Sequence, residues 1–140
     1  MTTMTTTRDF KVGDSFTLRL VEDLKRTQIV QYAGSSGDYN PLHSDELFTT
    51  KIAGYPSVFA HGMLTMGMTG KLLTDTVGDG NLKKYGVRFT SQVFPGDTLD
   101  ATATVTRVFD EAGEKRAEFE VSTKNQNGVE VLKRSAEAKF

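Results

Sequence analysis

The sequence predicts an α+β fold in which a largely antiparallel β-sheet wraps around one long helix. Apolar residues between positions 62 and 77 repeat with a helical period, and those after position 87 alternate with a period of two. Turns rich in glycine separate the later strands. Because 140 residues are enough for one core, we expect residues 1–140 to form a single domain, with residues 1–9 as a flexible polar tail.

Composition argues against several classes of function. The formal net charge of −1 provides no basic field, so we expect no nucleic-acid partner. No apolar stretch is long enough to cross a bilayer, and we expect no membrane partner. The chain has no cysteine, which excludes disulfides, thiol catalysis and cysteine-ligated zinc. Because the first residues also lack the apolar core of a secretory signal, the cytoplasm is the expected compartment.

The first elements are short. Residues 15–20 alternate apolar and polar side chains, which predicts a half-buried strand. Asp23 is a candidate N-cap for a helix that continues to Ala33, and the glycines and serines of 34–37 end that helix. Residues 38–41 must form a loop, because the residue before a proline is pushed out of the helical region.

A second short helix should follow this loop. Ser44 is its candidate N-cap, Phe48 and Ile52 supply its apolar face, and Gly54 closes it. The longest helix should then run over residues 62–77. Its apolar residues cover most of its circumference, which is typical of a helix surrounded by protein. Gly67 and Gly70 indicate a close approach of the sheet to this helix.

The rest of the chain should form strands. Residues 87–93 alternate, a turn at 95–97 follows, and the next strand runs from residue 99 to about residue 109. Gly113 marks a turn before a third long strand that includes residues 117–121. Asn127 and Gly128 begin the last hairpin connection, and residues 129–140 form the final strand. A strongly bent antiparallel sheet around one long helix is the hot-dog fold.

Asp38 and His43 are the candidate catalytic pair, and both histidines of the chain lie in residues 36–66. A carboxylate and an imidazole on a stiff loop containing Asn40 and Pro41 are suited to moving protons to and from a water molecule. In the alternative interpretation, Asp38 only caps the turn and His43 only packs against or caps the next helix.

His61 and Gly62 begin the long helix. The first N–H groups of a helix have no intrahelical acceptor and lie at its positive end, so they can hold an oxygen atom that gains negative charge. Alternatively, Gly62 merely eases the entry of the chain into a crowded helix. We expect His61 to be structural, with a hydrogen bond to the loop before it. Asp38, His43 and His61 could also hold a metal ion, but their spacing matches no metal motif and we expect none.

Three segments carry a family resemblance: GSSGDYNPLHSD, AHGMLTMGMTGKLL and YGVRFTSQVFPGDTL. They resemble the MaoC-like dehydratases, which comprise (R)-specific enoyl-CoA hydratases and related 3-hydroxyacyl-thioester dehydratases, and the resemblance covers residues 12–108. It implies a hot-dog fold, a homodimer, a higher oligomer or a hetero-oligomer, and an acyl-CoA or acyl-carrier-protein thioester bound near the subunit interface. It implies no metal or redox cofactor.

The resemblance also assigns roles to residues. It implies that Asp38 and His43 are the catalytic pair, without saying which is the base, that the Gly62 N–H receives the thioester carbonyl, and that Asn40 holds the loop in shape. Many relatives read PIAHG where this chain reads SVFAHG. This departure leaves the acyl chain length open, and the residues expected to shape the acyl pocket are Tyr55, Val58 and Phe59.

The implied reaction is reversible addition of water to a trans-2-enoyl thioester, which gives the (R)-3-hydroxyacyl thioester. A first alternative is dehydration of a 3-hydroxyacyl group on acyl carrier protein, for which Lys83, Lys84 and Arg88 are the nearby basic residues. A second alternative is a non-catalytic hot-dog subunit that supports an active partner. A hot-dog thioesterase is disfavoured, because the Asp38 to His43 loop does not resemble those enzymes.

Overall fold

Five strands form one antiparallel sheet in the order β1-β3-β4-β5-β2 in the computed structural model, which describes residues 9–140. The elements are β1 (Ser15–Val21), α1 (Arg26–Ser36), α2 (Gly62–Val77), β2 (Leu82–Phe89), β3 (Leu99–Glu111), β4 (Glu114–Lys124) and β5 (Glu130–Lys139). A 3₁₀ turn (Pro41–His43) and a π-helical turn (Phe48–Ile52) lie between the two helices. The predicted α+β class and the bounds of the long helix are confirmed.

The core lies between the sheet and α2. The period of two in β3 and β4 is confirmed, because alternate side chains on both strands are buried: Leu99, Ala101, Ala103, Val105, Ala117, Phe119 and Val121. Leu72, Leu73 and Val77 of α2 pack against this face. A buried hydrogen bond of 2.6 Å between the hydroxyls of Thr69 and Thr123 joins α2 to β4. The middle and the C-terminal half of α2 are therefore held against the sheet.

The helix α2 is buried on one side and exposed on the other in the described chain. Met63 is 56% exposed, and the exposed residues at 63, 67, 71 and 75 form a stripe along the helix. The expectation that protein surrounds this helix is therefore wrong for the single chain. A Cβ on Gly70 would lie 3.4 Å from Tyr85 Cε2, whereas a Cβ on Gly67 would meet no atom of the described residues within 4 Å. The predicted close approach is found at Gly70 and is wrong for Gly67.

Tyr85 on β2 gives the fold a testable pH dependence. Its hydroxyl donates a hydrogen bond of 2.7 Å to the Met66 carbonyl of α2. Burial raises the pKa of Tyr85 to about 12, against an opposing hydrogen bond with Thr69. Since a tyrosine in an unfolded chain has a pKa of about 10, the folded state holds this proton more tightly. The contribution of Tyr85 to the free energy of unfolding is therefore complete when the pH is below its unfolded-state pKa. It is lost as the pH rises through its folded-state pKa.

We therefore expect Tyr85→Phe to lose less stability than the wild type between about pH 9 and about pH 11.5. Urea unfolding of both proteins at these two pH values measures the difference. An equal loss in the two proteins would contradict the assignment.

The first helix starts later than predicted. Asp23 is not its N-cap, because Asp23 lies before the helix with a positive φ of 52°. The N-cap is Lys25, whose backbone N–H donates to the side chain of Gln28 at 2.9 Å. The helix ends at Gly37, which adopts the left-handed conformation (φ 75°) and donates its N–H to the Ala33 carbonyl. This turn directs the following loop away from the helix axis.

Three further predictions differ from the structure. Asp45 rather than Ser44 caps the short helix, since its Oδ1 accepts a hydrogen bond from the Phe48 N–H at 3.0 Å. Ile52 is 75% exposed, so it does not form a buried apolar face. Residues 90–93, predicted as strand, leave the sheet after Phe89.

The two ends of the described chain also bear on the predictions. Residues 1–8 of the predicted tail lie outside the described residues. Phe10 is buried against the rings of Phe16, Phe119 and Phe140. These aromatic contacts hold the chain at Phe10 against the core. In the span from residue 9 to residue 140, neither helix has the length and apolar character needed to cross a membrane.

Candidate active site

The loop between α1 and the 3₁₀ turn is stiffened by its own side chains. Asp38 Oδ1 accepts a hydrogen bond from the Asn40 N–H at 3.2 Å, and Asn40 Oδ1 accepts one from the Leu42 N–H at 3.0 Å. Pro41 then begins the 3₁₀ turn with its φ already restricted. The hydrogen bonds of Asn40 therefore fix the shape of the loop. The loop brings His43 close to Asp38.

His43 is half-buried, and one hydrogen bond determines its tautomer. Its Nδ1 lies 2.6 Å from the Phe59 carbonyl oxygen. A carbonyl oxygen can only accept, so Nδ1 carries the hydrogen and donates it. In the neutral ring, Nε2 is then left with a free lone pair. His43 is therefore arranged to accept a proton at Nε2.

His61 is almost fully buried and supports the other two polar residues. Its Nε2 donates a hydrogen bond of 3.0 Å to the Asp38 carbonyl oxygen. Its ring stacks on the ring of His43, with centroids 3.8 Å apart, and contacts the Tyr32 ring with centroids 4.9 Å apart. This is the hydrogen bond to the preceding loop that we expected for a structural histidine.

The structure brings Asp38 and His43 together. One carboxylate oxygen of Asp38 and one ring nitrogen each of His43 and His61 all lie within 4.8 Å of one another. This separation is no longer than two hydrogen bonds of about 2.8 Å can span, so one water molecule could bond to both the carboxylate and the imidazole. Asp38 also caps the turn, as the alternative interpretation expected. That hydrogen bond uses only Oδ1, one of the two carboxylate oxygens.

Asp38, His43 and His61 also form the one group in residues 9–140 with the ligand atoms and spacing to hold a metal ion. The stacked rings disfavour this use. The lone pair of an imidazole nitrogen lies in the plane of its ring, and the rings of His43 and His61 are only 26° from parallel. Two such rings cannot both direct a lone pair at one ion about 2.0 Å away. The expectation of no metal stays a prediction.

A cavity of about 300 Å³ connects His43 to the start of α2. It is lined by His43, Phe59, Ala60, Gly62, Thr65, Phe89, Thr90, Ser91, Gln92, Val93 and Val131. Gly62 is the first residue of the helix, so its N–H has no intrahelical acceptor. A larger groove of about 600 Å³ lies elsewhere, among charged residues that include Arg88, Glu120 and Lys133, and contains none of the residues predicted for catalysis or for the acyl pocket.

The three residues predicted to shape an acyl pocket lie in different places. Phe59 lines the cavity. The Tyr55 ring packs against the Phe59 ring, with centroids 4.8 Å apart. Val58 is buried, and its N–H donates to the side chain of Glu46 at 3.3 Å. Only Phe59 therefore reaches the cavity directly, and the role of all three in binding an acyl chain stays a prediction.

The reasoning from sequence named three of the lining residues as site candidates and missed the other eight: Ala60, Thr65, Phe89, Thr90, Ser91, Gln92, Val93 and Val131. Phe89 and Ser91 were predicted on one strand; Phe89 is the last residue of β2, as predicted, whereas Ser91 lies beyond the end of the strand. The Ala60 N–H donates to the Val93 carbonyl at 2.7 Å and ties this segment to the residues before α2 instead. Nothing in the alternation of the sequence indicates that pairing. Thr65 lies one turn after His61, a spacing that could have directed attention to it.

The sheet and its central helix define a hot-dog domain with polar groups gathered at the start of the helix. Residues 3–129 match the family described as MaoC like domain. The chain therefore belongs to the MaoC-like family, and the resemblance noted in the sequence is confirmed.

Two curated relatives and one solved structure show the range of this similarity. The 3-hydroxyacyl-thioester dehydratase Y of Mycobacterium tuberculosis is 41% identical over 99 residues, which are 69% of this chain and 32% of the relative. The peroxisomal enoyl-CoA hydratase 2 of Arabidopsis thaliana is 46% identical over 67 residues, or 46% of this chain and 21% of the relative. This chain thus spans a third or less of these two relatives. The solved (R)-hydratase from A. caviae involved in PHA biosynthesis has a TM-score of 0.82 and 25% identity, with 95% of this chain and 98% of that chain covered.

Proposed function

We propose that this protein adds water reversibly to trans-2-enoyl thioesters and gives (R)-3-hydroxyacyl thioesters. The observation that carries the proposal is the Asp38 carboxylate within 4.8 Å of a His43 ring nitrogen, beside a cavity that ends at the start of α2. The names of the relatives, an enoyl-CoA hydratase and a 3-hydroxyacyl-thioester dehydratase, support it.

In the proposed reaction Asp38 and His43 share one water molecule. Each accepts a hydrogen bond from it, and the tautomer of His43 leaves Nε2 as the base. The water oxygen bonds to C3 while Nε2 takes its proton. The electron pair of the C2–C3 double bond forms a double bond between C2 and the carbonyl carbon, and the carbonyl π pair moves onto the thioester carbonyl oxygen. The imidazolium then returns the proton to C2 on the same face, and the thioester carbonyl re-forms. The Asp38 carboxylate stabilises the imidazolium between the two steps.

The negative charge that develops on the thioester oxygen needs a hydrogen-bond donor. The Gly62 N–H is free to donate, and the positive end of the α2 dipole lies behind it. Removal of one such donor typically raises the barrier by about 3 kcal/mol. Gly62 is therefore as important to the proposed reaction as the acid–base pair.

We expect Gly62→Ala to lower kcat/KM strongly while the protein stays folded. The new Cβ would lie 2.9 Å from Phe89 Cζ. Since Phe89 is 47% exposed, its ring can move away. The methyl group and the displaced ring would then occupy the place of the thioester oxygen. We expect a loss of about 10- to 100-fold, smaller than the roughly 100- to 1,000-fold loss that follows complete removal of an oxyanion donor because the N–H itself remains, measured by steady-state hydration of crotonyl-CoA.

Gly34→Ala is the matched control for Gly62→Ala. Gly34 lies on the exposed side of α1, where a Cβ meets nothing within 4 Å among the described residues. It should leave kcat/KM unchanged and stabilise α1 by up to about 1 kcal/mol. Equal activity of the two variants would contradict the role of Gly62.

The substrate carrier and the assembly complete the proposal. The thioester is carried by CoA or by acyl carrier protein, and Phe59, with Tyr55 and Val58 behind it, shapes the acyl site.

A second copy of the chain is proposed to cover apolar residues left exposed near the cavity, such as Met63 and Phe89. No metal or redox cofactor takes part, and the cytoplasm is the proposed compartment because the chain has no cysteine.

The proposal is tested by the loss of enoyl-thioester absorbance when purified protein is mixed with crotonyl-, octenoyl- and longer enoyl-CoA esters. Activity should persist in the presence of a chelator. Comparison of kcat/KM for CoA and carrier-protein thioesters separates the two carriers. No turnover of any of these thioesters would overturn the proposal and favour a non-catalytic subunit.

A further inference from the structure

Thr65 differs from the other threonines of α2. The hydroxyls of the other three have hydrogen-bond partners: Thr69 with Thr123, Thr74 with the Gly70 carbonyl and Thr76 with the Leu72 carbonyl. The Thr65 hydroxyl has none within the described residues 9–140, although a helical threonine commonly bonds to the carbonyl four residues earlier. For Thr65 that carbonyl belongs to His61, and it accepts the backbone N–H groups of residues 64 and 65 instead.

The unpaired hydroxyl is also buried. Thr65 is only 2% exposed. Within residues 9–140, its Oγ1 and His61 Nδ1 are the two buried side-chain polar atoms that have no partner. A buried polar group without a partner is unfavourable, and such an atom in a native protein calls for an explanation in terms of a ligand or function. Thr65 lines the cavity, whereas His61 does not.

The position of Thr65 indicates which ligand atom it meets. Gly62 and Thr65 are three residues apart in one helix, so they are neighbours on the same face. Both line the cavity that contains His43. An oxygen atom that accepts the Gly62 N–H at the helix start therefore lies beside the Thr65 side chain. A hydroxyl can donate to the same oxygen, and two donors are the usual equipment of an oxyanion site.

We propose that the Thr65 hydroxyl is the second donor to the thioester carbonyl oxygen, beside the Gly62 N–H. This inference rests on the proposed hydration reaction and adds a catalytic residue to it. The hydrogen bond strengthens as negative charge develops on the oxygen, so its loss affects the transition state more than the bound substrate. The thioester oxygen is the acceptor that this hydroxyl lacks among residues 9–140 of the free protein.

The test compares Thr65→Val, which keeps the shape and removes the hydroxyl, with Thr65→Ser, which keeps the hydroxyl. On crotonyl-CoA, Thr65→Val should lower kcat by about 100-fold with little change in KM, as expected for an oxyanion donor. Thr65→Ser should retain most of the activity. The melting temperature of Thr65→Val should not fall, because an unpaired buried hydroxyl is replaced by a methyl group. Thr65→Ala serves as a second variant without the hydroxyl.

Thr76→Val is the matched control, because it removes a buried hydroxyl from the same helix far from the cavity. It should keep wild-type kcat. The proposal is overturned if Thr65→Val and Thr65→Ala turn over like the wild type, if only KM rises, or if Thr65→Ser is as impaired as Thr65→Val. Those results leave the hydration reaction standing when the wild type is active. A wild type without activity overturns both proposals.

Discussion

Replacement of Asp38 by asparagine should lower kcat for enoyl-thioester hydration by about 10²- to 10⁴-fold, the range typical of acid–base groups. Asparagine keeps the oxygen that accepts the Asn40 N–H, so the loop should keep its shape. It lacks the negative charge that stabilises the His43 imidazolium and orients the water. Since Asp38 is exposed, the free energy of unfolding should change by no more than about 0.5 kcal/mol. Steady-state kinetics with crotonyl-CoA and urea unfolding measure the two effects.

Asp79→Asn is a suitable control for this variant. Asp79 is an exposed aspartate in the turn after α2, at the opposite end of the helix from the site. It should leave both kcat and stability unchanged. If Asp38→Asn turned over crotonyl-CoA as fast as Asp79→Asn, the carboxylate would have no part in the reaction.

Replacement of His43 by alanine should cause a loss of similar size, about 10²- to 10⁴-fold in kcat. The variant loses the nitrogen that takes the proton of the water. Free imidazole added to His43→Ala should restore part of the activity, because the space left by the ring lies beside the cavity. Circular dichroism checks that the fold survives the loss of the stacking contact with His61.

The combination of Asp38→Asn with His43→Ala gives a further criterion. Because both residues act on one water molecule, the double variant should be about as slow as the slower single variant. Multiplied losses would show that the two residues act independently and would contradict a shared water.

The strands and the long helix could be predicted because their periodicity reflects burial. The alternation of Leu99, Ala101, Ala103 and Val105 follows the buried face of β3, and the bounds of α2 follow the glycines at 62 and 78. The start of α1 could not be predicted from cap preference alone. Asp23 is a better N-cap by residue type than Lys25, but the Lys25–Gln28 hydrogen bond determines where the helix begins.

The candidate site was predictable where it depends on local chemistry. Asp38, Asn40 and His43 lie within six residues, and their turns follow from Asn and Pro preferences. The far wall of the cavity was not predictable. It is built by Phe89 and the residues after it, whose position depends on the hydrogen bond between Ala60 and Val93, distant in sequence. The importance of Thr65 appears only when the hydrogen bonds of all four threonines in α2 are compared.

The central claim is that one water molecule, held by Asp38 and His43, adds across the double bond of an enoyl thioester. The most direct measurement is hydration of crotonyl-CoA by the wild-type protein in water labelled with a heavy oxygen isotope, with chiral analysis of the product. The account predicts (R)-3-hydroxybutyryl-CoA with the label on C3. An (S) product, a free acid with the label in its carboxylate, or no product at all would contradict it.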